Sequence, residues 1–270
     1  MGHKFLLFKQ LFKSGKLINK FSNLMSFVGE NIIYKATCGS TNTEAMKLLS
    51  AENVPEGTVI ITDNQTNGRG QRANTWTSEP YKNLTFSLIL YPTWVMIQNS
   101  FLLNMLTAIS IYKTLNTYIP NGLFVKWPND IYYQNKKIGG VLIENLINQN
   151  KIKTSIIGIG LNINQTTFSL TNITSLSLVC GHEFNLSSLL TQLTDTIQTE
   201  YVLLAQGEID ILQKDYLAAL YWVYEQRTFQ DKAGYFQGVI QGVDAIGRLV
   251  VQKENGQIAY YECKEITFIA

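Results

Sequence analysis

The order of apolar patterns along the chain constrains its fold more than any other feature. Short β-branched runs alternate with helical spacings through most of the 270 residues, and strand-like runs between single glycines then take over. Strands mixed with helices form a layered core, whereas strands in close succession form a small sheet or barrel of their own. The order therefore predicts an α/β or α+β core followed by an all-β module of about 45 residues. The glycines of this module are Gly234, Gly238, Gly242, Gly247 and Gly256.

The same patterns predict the individual elements. We expect strands at residues 32–36, 58–62, 84–91, 123–127, 131–133, 140–147 and 154–161, and helices at residues 43–50, 101–118, 186–205 and 209–221. A capping-box pattern, Thr41-Asn42-Thr43-Glu44, begins the first helix. A polar loop is expected at residues 63–75 and hairpin turns at residues 134–136 and 148–150. The chain divides into a leader at residues 1–29, a core domain at residues 30–224 and the β module at residues 225–270.

Composition and charge exclude several classes of protein. Hydrophobic residues make up 46% of the chain and the formal net charge is +2, which argues against disorder and against a nucleic-acid-binding surface. No apolar run approaches the roughly 18 residues of a membrane span. Cys38, Cys180 and Cys263 lie far apart, so a disulfide framework or zinc site is not expected. A reducing cytoplasm is the compartment that these cysteines favour.

The leader is the one basic segment. It carries five lysines, and the first acidic residue of the chain is Glu30. Such a segment can be an amphipathic contact to a membrane or nucleic acid, or a disordered extension upstream of a true start at Met25. We predict that residues 1–29 are disordered or not native to the protein.

A glycine-rich loop is the first candidate for chemistry. Gly68 and Gly70 allow the backbone to approach an anion, and Arg69 and Arg72 can donate to phosphate or carboxylate oxygens. The loop lacks the Gly-Lys-Ser/Thr ending of a Walker A motif. A mobile surface loop has a similar composition, so this motif alone leaves both interpretations open.

Two further motifs are also ambiguous when each is taken alone. Lys126-Trp127-Pro128-Asn129-Asp130 predicts a rigid turn, followed by Lys137 before two glycines; an ordinary turn and a solvated lysine are the alternatives. Gly158-Ile159-Gly160-Leu161-Asn162 predicts a strand that another group approaches closely, either a ligand or a neighbouring part of the sheet.

Taken together and in this order, the motifs resemble those of biotin–protein ligases, the biotin–[acetyl-CoA-carboxylase] ligases. The resemblance covers roughly residues 30–270 and includes Ser40-Thr41-Asn42 ahead of the glycine-rich loop. It implies an α+β core with a mixed sheet similar to class II aminoacyl-tRNA synthetases, plus a small C-terminal SH3-like β-barrel. With too few residues before Ser40 for a winged helix, it further implies a ligase-only form without the N-terminal DNA-binding domain.

The resemblance also implies the reaction and the site. Biotin and ATP form biotinyl-5′-adenylate with Mg²⁺, and biotin then passes to a lysine of a biotin carboxyl carrier protein; the enzyme is a monomer or homodimer that binds neither nucleic acid nor membrane. The catalytic residues would be Lys137, Arg69 and Asp130, with no metal ligand assigned. The biotin-binding residues would be Ser40, Thr41, Asn42, Gln65, Gly68, Arg69, Gly70, Gln71, Trp76, Lys137, Gly140 and Gly158. The ATP-binding residues would be Arg69, Gln71, Arg72, Asn129, Lys137 and Asn162.

Two departures from the family pattern leave alternatives open. Gln71 stands where many relatives have arginine and Ala73 where they have glycine, so retention of the adenylate is in question. A lipoate–protein ligase of the same fold, a catalytically idle biotin- or carrier-binding protein and an adaptor built on the basic leader are the competing hypotheses. Arg69 and Lys137 argue against an idle binder, because binding biotin alone requires neither cation.

Overall fold

The computed structural model describes residues 27–71 and 74–269. Within these residues, seven strands form a mixed central sheet in the order β1-β2-β5-β9-β8-β7-β6. β1 and β2 are parallel, and every other neighbouring pair is antiparallel. The strands are β1 (Ile32–Cys38), β2 (Val59–Gln65), β5 (Leu84–Leu90), β6 (Leu123–Lys126), β7 (Asp130–Tyr133), β8 (Lys136–Asn148) and β9 (Lys151–Leu161).

Helices cover this sheet unequally. The helices are α1 (Thr41–Ala51), α2 (Phe101–Asn116), α3 (Leu176–Cys180), α4 (Leu186–Ala205) and α5 (Ile209–Ala219). The long α2 and α4 pack over one face, where Phe86, Ile157 and Leu193 belong to the main buried cluster. Among the helices of residues 27–71 and 74–269, α1 alone covers the opposite face, where Ala45 packs against Ile89 in a smaller cluster. No described helix covers the other end of that second face.

The segment predicted as a polar loop is more ordered than expected. β2 continues to Gln65, and β3 (Gly68–Arg69) pairs with β4 (Thr75–Trp76) as a short antiparallel hairpin. The Gly70 amide also donates to the Asn74 carbonyl at 2.7 Å. The loop prediction for residues 63–75 was therefore wrong at both ends, because the period-two signal is too short there to reveal pairing.

The C-terminal module is an antiparallel sheet in the order β13-β12-β11-β10-β14. Its strands are β10 (Gln226–Asp231), β11 (Gly234–Val243), β12 (Leu249–Lys253), β13 (Ile258–Tyr261) and β14 (Thr267–Ile269). The module is joined tightly to the core, because the Trp127 indole donates to the Gly247 carbonyl at 2.8 Å. Gly247 also lies against Phe101 so closely that a side chain there would overlap the ring. The expected α+β core with an all-β tail is confirmed.

The start of the first helix differs from its prediction. Ser40 is the N-cap, no side-chain capping bond forms, and the helix begins at Thr41. The capping box was wrong because its members have other partners. The Thr41 hydroxyl lies near Gln65 and Ser87, and Glu44 pairs with Lys47.

The end of the predicted leader belongs to the fold. Val28 is buried, and the amides of Phe27 and Val28 both donate to the side-chain carbonyl of Gln198 in α4. Ordered structure therefore begins before residue 30. The rest of the leader, residues 1–26, lies outside the described residues. No helix in the described part of the chain is long and apolar enough to cross a membrane.

Candidate active site

A cavity of about 230 Å³ lies at the uncovered end of the second sheet face. The start of α1, the β3–β4 hairpin and the turn before β7 surround it, and the turn after β13 adds a wall from the C-terminal module. Its lining combines polar groups with apolar surface. Side chains from the described residues that line it include Ser40, Thr41, Asn42, Gln65, Arg69, Gln71, Trp76, Thr85, Asn129, Asp130, Lys137, Cys263 and Lys264.

The sheet forms the floor of the cavity. Successive residues of a strand point to opposite faces, so the residues between the core positions of β5 and β9 lie beneath the cavity. Ser87 is paired with Gly158 and Thr85 with Gly160 across these strands. A hydroxyl thus faces a glycine at two consecutive positions, which leaves room above the sheet.

Two of these floor glycines admit side chains from other elements. A β-carbon on Gly158 would lie 2.5 Å from the Asn42 amide oxygen. A β-carbon on Gly160 would lie 2.5 Å from the indole ring of Trp76. The sequence predicted that these glycines make room for a ligand. In the structure they make room for the side chains of Asn42 and Trp76, which form part of the cavity wall.

Hydroxyl and amide groups cluster at the start of α1. The Thr41 backbone amide donates to the Gln65 side-chain oxygen at 2.9 Å. The Ser87 hydroxyl lies 2.7 Å from the Thr41 hydroxyl and 2.5 Å from the Asn42 amide oxygen. Because each group is fixed by a neighbour, the cluster presents donors and acceptors in a set arrangement.

Two polar atoms of the cavity wall have no hydrogen-bond partner among the described residues. They are the Thr85 hydroxyl and the Trp76 indole nitrogen, both buried. A buried polar group without a partner costs about 1–3 kcal/mol. Both residues line the cavity.

Two cations line the cavity, each paired with a carboxylate. The Lys137 ammonium lies 2.6 Å from Asp130, and the Arg69 guanidinium lies 2.6 Å from Glu144. All four side chains keep between a quarter and about two-fifths of their surface exposed. The ion pairs therefore contribute little to stability, and the cations stay accessible to an anionic ligand.

A rigid turn carries Asn129 and Asp130 into the site. The Trp127–Pro128 peptide bond is cis, and Asn129 bonds the Val141 backbone through both its own carbonyl and its side-chain amide. Lys126, before the turn, lies against the rings of Tyr132 and Phe268. Burial lowers the pKa of the Lys126 ammonium, an effect that Asp130 opposes. Burial, with Asp130 adding to it, raises the pKa of Tyr132 to about 12.

The structure brings most of the predicted site residues together. All of the predicted biotin-binding residues line the cavity except Gly68. Gly68 lies in the β3–β4 hairpin, where the Trp76 carbonyl leaves no space for a side chain. Of the predicted ATP set, Arg69, Gln71, Asn129 and Lys137 line it. Asn162 does not; it is buried and its side-chain amide donates to the Thr174 carbonyl at 3.1 Å. Arg72 lies outside the described residues.

Sequence reasoning missed three residues of the site. Thr85 lines the cavity, whereas Ser87 and Glu144 hydrogen-bond the Asn42 side chain in its wall. All three lie on strands whose partners were unknown, and a lone hydroxyl or carboxylate in a strand carries no motif. Cys263 was weighed only as a possible disulfide or metal residue, yet its thiol lies 3.4 Å from the Gln71 side-chain oxygen. The alternation of Thr85 and Ser87 with large apolar residues was the one available signal, since it marks β5 as lying between two unlike faces.

No group of three or more histidine, cysteine or acidic side chains that could hold a metal occurs among the described residues. Asp130 is the one carboxylate among the residues lining the cavity, and it is already paired with Lys137. A magnesium ion there would take most of its oxygen ligands from a nucleotide, as Mg²⁺ commonly does.

Comparison with known proteins agrees with this arrangement. Residues 34–162 match the biotin/lipoate A/B protein ligase family. Over 255 residues the chain is 28% identical to the bifunctional ligase/repressor of Bacillus spizizenii, covering 90% of this chain and 77% of that protein. It is 29% identical over 130 residues to the biotin–[acetyl-CoA-carboxylase] ligase of Paracoccus denitrificans, covering 47% of this chain and 52% of that one.

A solved structure extends the similarity to the whole fold. The biotin protein ligase of Aquifex aeolicus, in complex with biotin and ATP, superposes with a TM-score of 0.73 at 25% identity, over 88% of this chain and 98% of that one. Residues 34–162 are therefore similar to the domain that defines the biotin/lipoate A/B protein ligase family.

Proposed function

We propose that this protein is a biotin–protein ligase. It attaches biotin to one lysine of a biotin carboxyl carrier protein domain, in acetyl-CoA carboxylase or a related carboxylase, through biotinyl-5′-adenylate. One observation carries the proposal: a single cavity joins a cluster of hydroxyl and amide groups to two anchored cations. The relatives named as biotin ligases support the same reaction.

The hydroxyl and amide cluster suits the ureido group of biotin. That group offers two N–H donors and one carbonyl acceptor, and it has no charge. Ser40, Thr41 and Asn42 are buried and lie at the start of a helix, where hydroxyl oxygens and backbone amides converge. Gln65 has its side-chain oxygen engaged by the Thr41 amide, which leaves its NH₂ group free to donate to a carbonyl. The uncharged cluster thus matches an uncharged polar ring.

The two cations suit the first chemical step. A carboxylate oxygen of biotin attacks the α-phosphorus of ATP, an acyl–phosphate bond forms, and pyrophosphate leaves with the electron pair of the broken bond. Two anions must meet, and negative charge grows on the phosphate oxygens. Arg69 and Lys137 stabilise that charge, and Asp130 holds the Lys137 ammonium in place. Asp130 would be the protein carboxylate available to hold Mg²⁺, which, when bound with the nucleotide, would neutralise part of the phosphate charge.

The second step transfers biotin to the carrier. The amine of the carrier lysine attacks the acyl carbon and AMP departs, so the adenylate must be kept from water until the carrier arrives. Gln71 and the C-terminal Cys263 meet at the rim of the cavity, with Lys264 beside them. The rim therefore contains an amide where many relatives have an arginine, and holds the intermediate with one cation fewer.

Several finer assignments belong to the same proposal. The α+β core is similar to class II aminoacyl-tRNA synthetases, and the C-terminal antiparallel sheet is an SH3-like barrel; five short antiparallel strands support the latter. The proposal also includes ligand contacts for the remaining predicted biotin- and ATP-binding residues, among them Gly68 and Asn162. The enzyme works in the cytoplasm, a reducing compartment that suits its three free cysteines. It acts as a monomer or homodimer and binds neither nucleic acid nor membrane.

The test is to weigh a carrier domain after incubation with the protein, ATP and Mg²⁺, with biotin in one sample and lipoate in another. We expect a mass increase equal to one biotin minus water, and no increase with lipoate. A gain only with lipoate would assign the sister reaction. Biotin binding with no modified carrier and no pyrophosphate release would leave an idle binding protein.

A further inference from the structure

Glu144 links the two halves of the cavity without lining it. Its side chain, in β8, accepts a hydrogen bond from the Asn42 amide at 2.8 Å and one from the Arg69 guanidinium at 2.6 Å, both on the same carboxylate oxygen. Asn42 belongs to the uncharged cluster and Arg69 is one of the two cations. A single oxygen therefore holds a residue from each half of the site.

The contact with Glu144 fixes which way the Asn42 amide points. An ionised carboxylate only accepts hydrogen bonds, so the NH₂ group of Asn42 must face Glu144. The amide oxygen then faces Ser87, whose hydroxyl lies 2.5 Å away. The Leu142 carbonyl accepts from the same NH₂ group at 3.3 Å, so Glu144 and this carbonyl together set the direction of a hydrogen-bonded chain that continues through Ser87 to Thr41.

The contact with Glu144 fixes the position of the Arg69 guanidinium and leaves most of its N–H donors available to a ligand. It uses one N–H of a guanidinium that has five, so donors remain for an anion in the cavity. With 42% of the Arg69 side chain and 30% of the Glu144 side chain exposed, the ion pair has little value for stability. Its main effect is to hold the guanidinium at the cavity instead of in solvent.

We propose that Glu144 is a positioning residue for both halves of the reaction site, an inference that rests on the proposed biotin ligation. Its charge holds Arg69 toward the reacting anions, and its acceptor oxygen orients Asn42 toward the biotin ring. These two tasks require different properties of the side chain. A glutamine can still accept from Asn42 but cannot hold Arg69 by charge, whereas an alanine does neither.

The experiment compares Glu144→Gln and Glu144→Ala in the full-length protein. Biotin affinity is measured by calorimetry and adenylate formation by pyrophosphate release at saturating biotin. For Glu144→Gln we expect biotin affinity within about twofold of wild type and adenylate formation slower by roughly tenfold. For Glu144→Ala we expect both quantities to fall by roughly tenfold, since both hydrogen bonds are lost.

A double variant separates positioning from a general structural role. If Glu144 acts on the rate through Arg69, Glu144→Gln placed on an Arg69→Ala background should slow adenylate formation no further. Glu183→Gln is the matched control, because Glu183 also forms an ion pair, with Lys82 at 2.9 Å, and neither residue lines the cavity. The control should change neither quantity.

Three results would overturn the proposal. One is wild-type rates and affinities in both Glu144 variants; another is an equal loss of biotin affinity in Glu144→Gln and Glu144→Ala. The third is additive slowing in the double variant. Failure of the proposed function itself is a separate result, because it would show as absent biotin binding or pyrophosphate release in the wild-type protein before any variant is made.

Discussion

The two faces of the central sheet are made from the same strands, but the side chains beside the cavity differ from those on the face packed against α2 and α4. On the face beneath α2 and α4, β5 places Leu84, Phe86 and Leu88, and β9 places Ile157 and Ile159, all of them fully or almost fully buried. These side chains are large and fill the space between sheet and helices. That face is built for packing, and every methylene removed from it leaves a cavity.

On the opposite face, the intervening positions beside the cavity carry small or polar residues, whereas Ile89 and Ile156 pack in a small apolar cluster with Ala45 of α1. β5 contributes Thr85 and Ser87, and β9 contributes Gly158 and Gly160. The face gains space and hydrogen-bonding groups at the expense of apolar burial. One strand can therefore serve both stability and ligand binding. Because successive side chains point to opposite faces, one set of alternate residues packs in the core and the other set lies at the cavity.

The largest effect should come from the packed face. Phe86→Ala is expected to lower the free energy of unfolding by about 3–5 kcal/mol, because Phe86 is completely buried. Biotin affinity of the remaining folded protein should change by less than about threefold, since the side chain points away from the cavity. Urea denaturation and calorimetry measure the two quantities. Phe86→Leu gives a milder variant if the alanine does not fold, and a selective loss of biotin binding in it would contradict the division between faces.

On the cavity side, Lys137→Ala should slow adenylate formation by about 10²–10³-fold while the thermal midpoint stays within a few degrees of wild type. The lost interaction is one that a cation makes mainly with the charge developing in the reaction. Its neighbour Lys136 is exposed and serves as the control. Pyrophosphate release near the wild-type rate in Lys137→Ala would remove this residue from the mechanism.

Gly160→Ala tests whether the floor must stay empty. The added methyl group would lie 2.5 Å from the Trp76 ring, so the indole must shift. We expect biotin affinity to fall by roughly tenfold, within the 1–3 kcal/mol range typical of overpacking. Gly39→Ala is a suitable control because a side chain there meets nothing within 4 Å. Equal affinities in the two variants would show that Trp76 does not wall the ligand.

The smallest effect on stability should follow Thr85→Val, which replaces a hydroxyl that has no partner among the described residues. Unfolding free energy should stay the same or rise by up to about 1 kcal/mol, while biotin affinity falls several-fold. Ser87→Ala is the contrast, since that hydroxyl bonds Thr41 and Asn42 and its loss should destabilise the protein. If the Thr85→Val protein binds biotin as well as wild type, the Thr85 hydroxyl does not contact biotin.

Much of this molecule could be predicted from its sequence. The strands from β5 to β9, the two long helices and the all-β tail occur close to their predicted positions, since periodicity is a local property that short windows contain. The helix predicted at residues 186–205 is observed as Leu186–Ala205. Most of the motif residues also line one cavity, although Gly68 and Asn162 do not.

Only the tertiary structure decided which distant residues meet. Glu144 contacts Arg69 across 75 residues and Asn42 across 102, and Cys263 reaches Gln71 across 192. These contacts depend on strand order and register and on how the C-terminal module packs against the core, which local patterns do not specify. The unformed capping box has the same cause: Thr41 has the local sequence of a cap, but Gln65 and Ser87 are brought to it by strands far along the chain. Local periodicity determines the elements, and long-range pairing determines the chemistry that each side chain performs.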